Sequence, residues 1–183
     1  ITMIDWGYDE LQKDGKEIYT YHYAGKILNE NAKEWATRRS YFEEGRDRIT
    51  LLFARTITPD GKVIWMSPSE VKIFTPPQSG QSFDVDKIFS FTLPSVEIGS
   101  IIEYTYTKEY YNREVPGFFF PQWYFQSEGV PVVSSKFKIV MPDTLTLTYK
   151  LTNFPEDKGK VEEWINEGKR YYNFELSDSP PIT

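Results

Sequence analysis

The sequence contains no cysteine and a single histidine, His22. The first absence removes thiol nucleophiles, thiolate metal sites and disulfides. The second removes any metal site built from several imidazoles, and no cofactor is expected. Basic side chains are the minority, 21 against 27 acids for a net charge of −6 over 183 residues. A nucleic-acid partner, which needs a basic face, is therefore not expected. Long apolar runs are missing too: the most apolar stretches, 49–54 and 117–125, fall far short of the roughly 20 residues of a membrane span. No basic, apolar leader precedes the first strand-like segment, which suits a processed or excised piece.

Aromatic residues are plentiful. Thirteen Phe, thirteen Tyr and five Trp make 17% of the chain, while apolar residues altogether reach only 39%. Rings of that size bury enough area to offset ordering entropy, and their mixture with scattered prolines favours sheet. Two-residue alternation recurs along the chain. Leu145, Leu147, Tyr149 and Leu151 alternate with polar residues and predict a half-buried strand over 144–151. Phe137, Ile139 and Met141 predict its antiparallel neighbour, ended by Pro142-Asp143. Ile49, Leu51, Phe53 and Ile57 share one parity before Thr58-Pro59-Asp60-Gly61, a turn leading into 62–65, so a hairpin is expected.

Phe89, Phe91 and Leu93 alternate up to Pro94, and Ile102, Tyr104 and Tyr106 resume after Gly99, predicting another strand pair. Tyr172, Phe174 and Leu176 predict a last strand before the Pro180-Pro181 tail. Only 28–39 shows a competing helical period, and a turn followed by a strand is expected there. So many short strands imply an all-β fold with little helix, an antiparallel β-sandwich, immunoglobulin-like or related. The expected division is a leading strand or extension over 1–16, the sandwich over 17–176, and a linker over 177–183 toward a further domain.

No catalytic constellation is visible. Asp84 and Asp86 could share one side of a strand, but two carboxylates are too few for a hard cation, and a solvated face is the plainer account. His22 has parity opposite to Tyr19, Tyr21 and Tyr23 and no partner in sequence, as an ordinary strand histidine would. The 27 acids leave a carboxylate-pair glycosidase open, because such pairs converge only in space. Six of nine residues over 118–126 are aromatic. Trp123, Tyr124 and Phe125, with Tyr110 and Tyr111, would form a sugar- or partner-binding platform if exposed, and a central strand if covered.

Pro59-Asp60-Gly61, then Ser82-Phe83-Asp84, then the run from Phe91 through Leu93-Pro94, Gly99 and Glu103-Tyr104 carry a resemblance. Together with 118–126, Val130-Pro131-Val132 and Val140-Met141-Pro142, they resemble domain of unknown function 3857, a bacterial domain found N-terminal to transglutaminase-like domains. The likeness spans residues 17 to 182 and departs at Ser82, where the family often has tyrosine. It implies a noncatalytic accessory domain of an exported bacterial protein, in the periplasm or at the cell surface. Its partners would be the downstream transglutaminase-like domain and a polysaccharide or protein polymer. The nucleophilic cysteine such a partner domain needs cannot come from this chain.

Overall fold

The computed structural model describes residues 1–76, 86–113, 115, 118–155 and 157–182. Among them are eleven strands: β1 (Thr2–Leu11), β2 (Glu17–Lys26), β3 (Thr37–Glu43), β4 (Asp47–Ile57), β5 (Val63–Trp65), β6 (Lys72–Phe74), β7 (Asp86–Thr92), β8 (Ile101–Tyr110), β9 (Val132–Pro142), β10 (Gly159–Asn166) and β11 (Lys169–Ser179). Helical structure among these residues is confined to two short 3-10 turns, Asn31–Ala36 and Pro68–Glu70. Eight strands form one sheet in the order β10-β11-β9-β1-β2-β8-β4-β5, and three form a second in the order β3-β7-β6. The eleven strands pair antiparallel except for the parallel contact of β1 with β9 in mid-sheet. The expected all-β sandwich is the fold, with its two sheets very unequal in width.

That inequality divides the inner face of the large sheet. Over β2, β8 and β4 the small sheet closes a core in which Phe89, Phe91, Ile102, Tyr104 and Tyr106 are buried. Tyr104 meets Phe91 edge-on with centroids 5.3 Å apart. Over β9 and β11 a second core of Phe137, Ile139, Met141, Tyr172 and Phe174 is covered instead by irregular chain carrying Phe119, Trp123, Phe125 and Leu147. Tyr19 packs against both cores, which are thus continuous.

Three local expectations fail, each for a physical reason. Residues 144–151 are not a strand, and Leu145, Tyr149 and Leu151 are exposed rather than core. The segment lies over the second core, with the Leu147 amide donating to the Tyr172 hydroxyl at 2.9 Å and the Tyr149 ring edge-on to Phe174. The antiparallel partner of β9 is β11. Phe53 does not share the inward parity of Ile49 and Leu51, because a bulge at Leu52 reverses the alternation and turns Ala54 and Thr56 inward. Finally, β7 and β8 both exist but lie in opposite sheets, so the 93–100 connection crosses the sandwich and does not close a hairpin. The β4–β5 hairpin, with Gly61 at φ +86°, is as expected.

Candidate functional site

The motif residues assemble at one place in the fold. Pro59, at the tip of the β4–β5 hairpin, packs so close to Gly99 that a Cβ there would come within 3.2 Å of its ring, and Gly99 itself has φ +93°. The positive φ makes any side chain at Gly99 strained, and a Cβ would also require the Pro59 ring to give by a few tenths of an ångström. The Thr56 hydroxyl donates to the Pro94 carbonyl at 2.7 Å, Leu93 is buried, and the Gly99 amide donates to the Ile27 carbonyl at 2.7 Å. Asp60 accepts a short hydrogen bond from Thr58, which holds its carboxyl below the ordinary range. Pro131 accepts from the Thr2 amide, and Pro142 ends β9. These residues fix strand ends. Asp84 lies outside the described residues.

Glu103 points to the opposite face of β8 from Tyr104. There it accepts from Arg55 at 2.6 Å and lies 2.9 Å from His22 Nε2, the partner that local sequence did not supply. His22 sits edge-on to Trp6 and Phe53, and Phe53 edge-on to Trp65. The three interplanar angles lie between 68° and 90°, so these rings interlock and make no flat platform.

Within 118–126 the chain alternates without forming a strand. Phe119, Trp123 and Phe125 pack on the second core, while Phe118, Phe120 and Tyr124 are exposed. Trp123 lies parallel to Phe137 at 5.1 Å and donates its indole N–H to Ser135 at 3.0 Å. Of the five aromatic residues singled out from sequence, Tyr124 and Tyr111 face solvent, Trp123 and Phe125 face the core, and Tyr110 lines a cavity.

That cavity is the chemically richest place in the molecule. At one end of the sandwich the inward-facing positions of four adjacent strands carry ionisable groups: Asp9 on β1, Glu17 on β2, Lys108 and Tyr110 on β8, Asp47 on β4. Tyr110 is paired across the sheet with Glu17 on one side and Asp47 on the other. Its ring lies under two cations, with Lys108 Nζ at 4.7 Å and the Arg113 guanidinium at 4.4 Å. Lys108 binds Asp47 at 2.7 Å, and Arg113 binds Glu17. Asp47 also accepts from the Glu43 amide at 2.5 Å.

Asp9, Glu17, Tyr19, Tyr110, Arg113, Phe120, Pro121, Gln122 and Phe137 line a pocket of 250 Å³. A neighbouring cleft of 460 Å³ shares Tyr110 and Arg113 with it and opens between the sheets past Tyr41, Val115 and Phe118. Burial, reinforced by the Glu17 charge and opposed by Arg113, pushes the Asp9 carboxyl up to about 8. Burial raises Glu17 as well, against the pull of Arg113. Although burial works against its charge, Asp47 and the Tyr110 hydroxyl hold Lys108 above its ordinary value. Asp9, Glu17, Asp47, Lys108 and Arg113 belong to no sequence motif. Their signal was parity: Glu17 continues the inward series of Tyr19, Tyr21 and Tyr23, and Lys108 that of Tyr104 and Tyr106. Among the described residues no group of three metal-ligating side chains occurs, and no helix is long and apolar enough to cross a membrane.

The whole chain superposes on a solved structure from Parabacteroides distasonis ATCC 8503, described as a "putative protease", with a TM-score of 0.88 at 16% sequence identity. The overlap covers 100% of this chain and 36% of that one, so this chain spans about a third of the length of the solved chain it matches. At that identity the likeness shows the fold. No curated protein matches the chain. Residues 13–183 match the family described as a domain of unknown function with a solved structure, DUF3857, and the chain belongs to that family.

Proposed function

We propose that this chain is a noncatalytic accessory domain of a larger exported bacterial protein. It would stand N-terminal to a transglutaminase-like domain and position that domain or its polymer substrate. The observation that carries the reading is the fit of the entire fold to 36% of a much longer solved chain, as expected of one module among several. The chemical inventory supports it. Cysteine is absent, and the histidine is engaged with Glu103. Asp9 and Glu17, which share the pocket, are 3% and 5% exposed, and Glu17 is held by Arg113. A Glu17 held by Arg113 is not free to act as nucleophile or base beside Asp9, which disfavours a glycosidase. The exposed rings of Phe118 and Phe120 are tilted by 31°, which disfavours a flat sugar platform.

The test compares three proteins on peptide and glycan substrates: the natural protein containing this domain, the same protein without residues 1–183, and the 183-residue chain. The chain alone should turn over nothing, and the deletion should weaken the parent's action on polymer more than on short peptides. Turnover by the chain alone would overturn the reading.

A further inference from the structure

Buried ionisable groups at one end of the sandwich are unequal in number. Three carboxyls on the inner face, Asp9, Glu17 and Asp47, are each at most 5% exposed. Among the described residues two cations are paired with them, Lys108 on Asp47 and Arg113 on Glu17, while Arg113 also faces Asp9 across the pocket. Asp9 is left over, and among the described residues its Oδ1 has no hydrogen-bond partner although it is fully buried. Native interiors seldom leave a buried polar atom in that condition, because its lost hydrogen bonds to water are then not replaced. The carboxyl lines the 250 Å³ pocket, whose other walls include the rings of Tyr19, Tyr110, Phe120 and Phe137.

We propose that this pocket binds a protonated primary amine carried on a short aliphatic chain, its ammonium paired with Asp9 and its methylenes laid against the aromatic walls. A compact ammonium on a flexible apolar stem suits a single carboxyl at the base of a ring-lined pocket. A divalent cation does not suit it. Hard dications take six to eight oxygens, and of the two carboxyls here Glu17 is already held by Arg113. With the amine bound, three cations answer three carboxyls. Asp9 then ionises, so at neutral pH the ligand displaces a proton into solvent. The binding is independent of any downstream domain.

Calorimetric titration of the 183-residue chain with n-butylammonium, Nα-acetyl-lysinamide and n-butanol tests this, in two buffers of different ionisation enthalpy. Butylammonium should bind at least ~tenfold more tightly than n-butanol, the neutral isostere, and release a proton. Asp9→Asn, which keeps the shape of the side chain but cannot ionise, should lose that preference and the proton release. Binding of acetyl-lysinamide as well would mark a protein lysine as the source, and binding of butylammonium alone a free amine. Equal binding of butylammonium and n-butanol would overturn the proposal, as would amine binding without proton release. Should Asp9→Asn fail to fold, proton release by the unmodified chain decides the matter alone.

Discussion

The two halves of one sheet face are covered in different ways. Over β2, β8 and β4 the cover is itself a sheet, in which β7 pairs with β3 and β6 and its polar backbone is satisfied by its neighbours. Over β9 and β11 the cover is irregular chain that holds on by side chains: Trp123 stacked on Phe137 and Tyr149 against Phe174. Among the described residues its polar links to β9 and β11 are few, the Trp123 indole on Ser135, the Leu147 amide on Tyr172 and the Leu145 amide on the Pro142 carbonyl. An apolar sheet face requires cover, and large rings supply it without a second ladder. The two covers should differ in how easily they lift, because irregular segments with few hydrogen bonds open at lower free energy.

The sharpest way to break the comparison is to truncate a ring on each side. Phe91, 2% exposed in the first core, should lose about 3–5 kcal/mol on Phe91→Ala. The half-buried Phe125 should lose about 1–2 kcal/mol on Phe125→Ala, since its site is already partly wet. Denaturant titrations of the two variants measure this. Equal losses would mean that the irregular cover is as integral as the small sheet. Hydrogen exchange should agree, with β7 and β8 amides protected longer than the Trp123 and Leu147 amides.

A smaller effect is expected at the junction of cover and sheet. Gly7 on β1 lies beneath the Trp123 ring, and a Cβ built there would come within 2.4 Å of it and 2.8 Å of Phe137. Gly7→Ala must push the indole outward and should cost about 1–3 kcal/mol through overpacking. Its signature is a red shift of tryptophan emission before global unfolding. An unchanged spectrum with unchanged stability would show that the cover already sits loosely.

The strand parities of β2, β7, β8, β9 and β11 were legible in sequence because each has one face in the core and one outside. Where that condition fails, so does the reading. Residues 144–151 alternate, yet only Leu147 of the apolar side packs on the second core while Leu145, Tyr149 and Leu151 are exposed, so alternation there reports neither backbone pairing nor a buried face. The bulge at Leu52 reversed Phe53 through a change in register that no single strand displays. The site was visible only as an anomaly. Asp9, Glu17, Asp47 and Lys108 hold inward parity while carrying charge, and their pairing depends on four strands brought together by the fold. Glu103 met His22 across 81 residues for the same reason.

A pH response is expected at the seam, where the Asp9 pocket has walls from the sheet and from the irregular cover. The Asp9 carboxyl is raised by burial to about 8 in the folded chain, far above its value of about 3.9 when unfolded. The folded state therefore holds a proton that the unfolded state has lost between these values. Its stabilising effect is complete below about pH 4 and declines until about pH 8, by at most about 1.4 kcal/mol per pH unit. Burial raises Asp5 and Glu17 too, which adds to the slope in the same sense at the acidic end. Thermal unfolding from pH 5 to 8 should show declining stability, and Asp9→Asn should flatten the decline. A slope unchanged in the variant would remove Asp9 as its origin.

The smallest differences lie inside the segment whose alternation misled. Leu147 packs on the second core with its amide on Tyr172, whereas Leu145 is 45% and Leu151 37% exposed. Leu147→Ala should cost about 1–2 kcal/mol, below the range for a fully buried leucine, because only part of its side chain leaves water. Leu145→Ala should cost under about 0.5 kcal/mol, as ordinary surface substitutions do. Comparing the two by urea titration separates an extended flap held at one point from a true half-buried strand. In a strand, Leu145, Leu147 and Leu151 would share one covered face and lose similar amounts. Losses above about 2 kcal/mol at all three would place a strand over β9 and β11 in solution and make both halves of the sheet face alike.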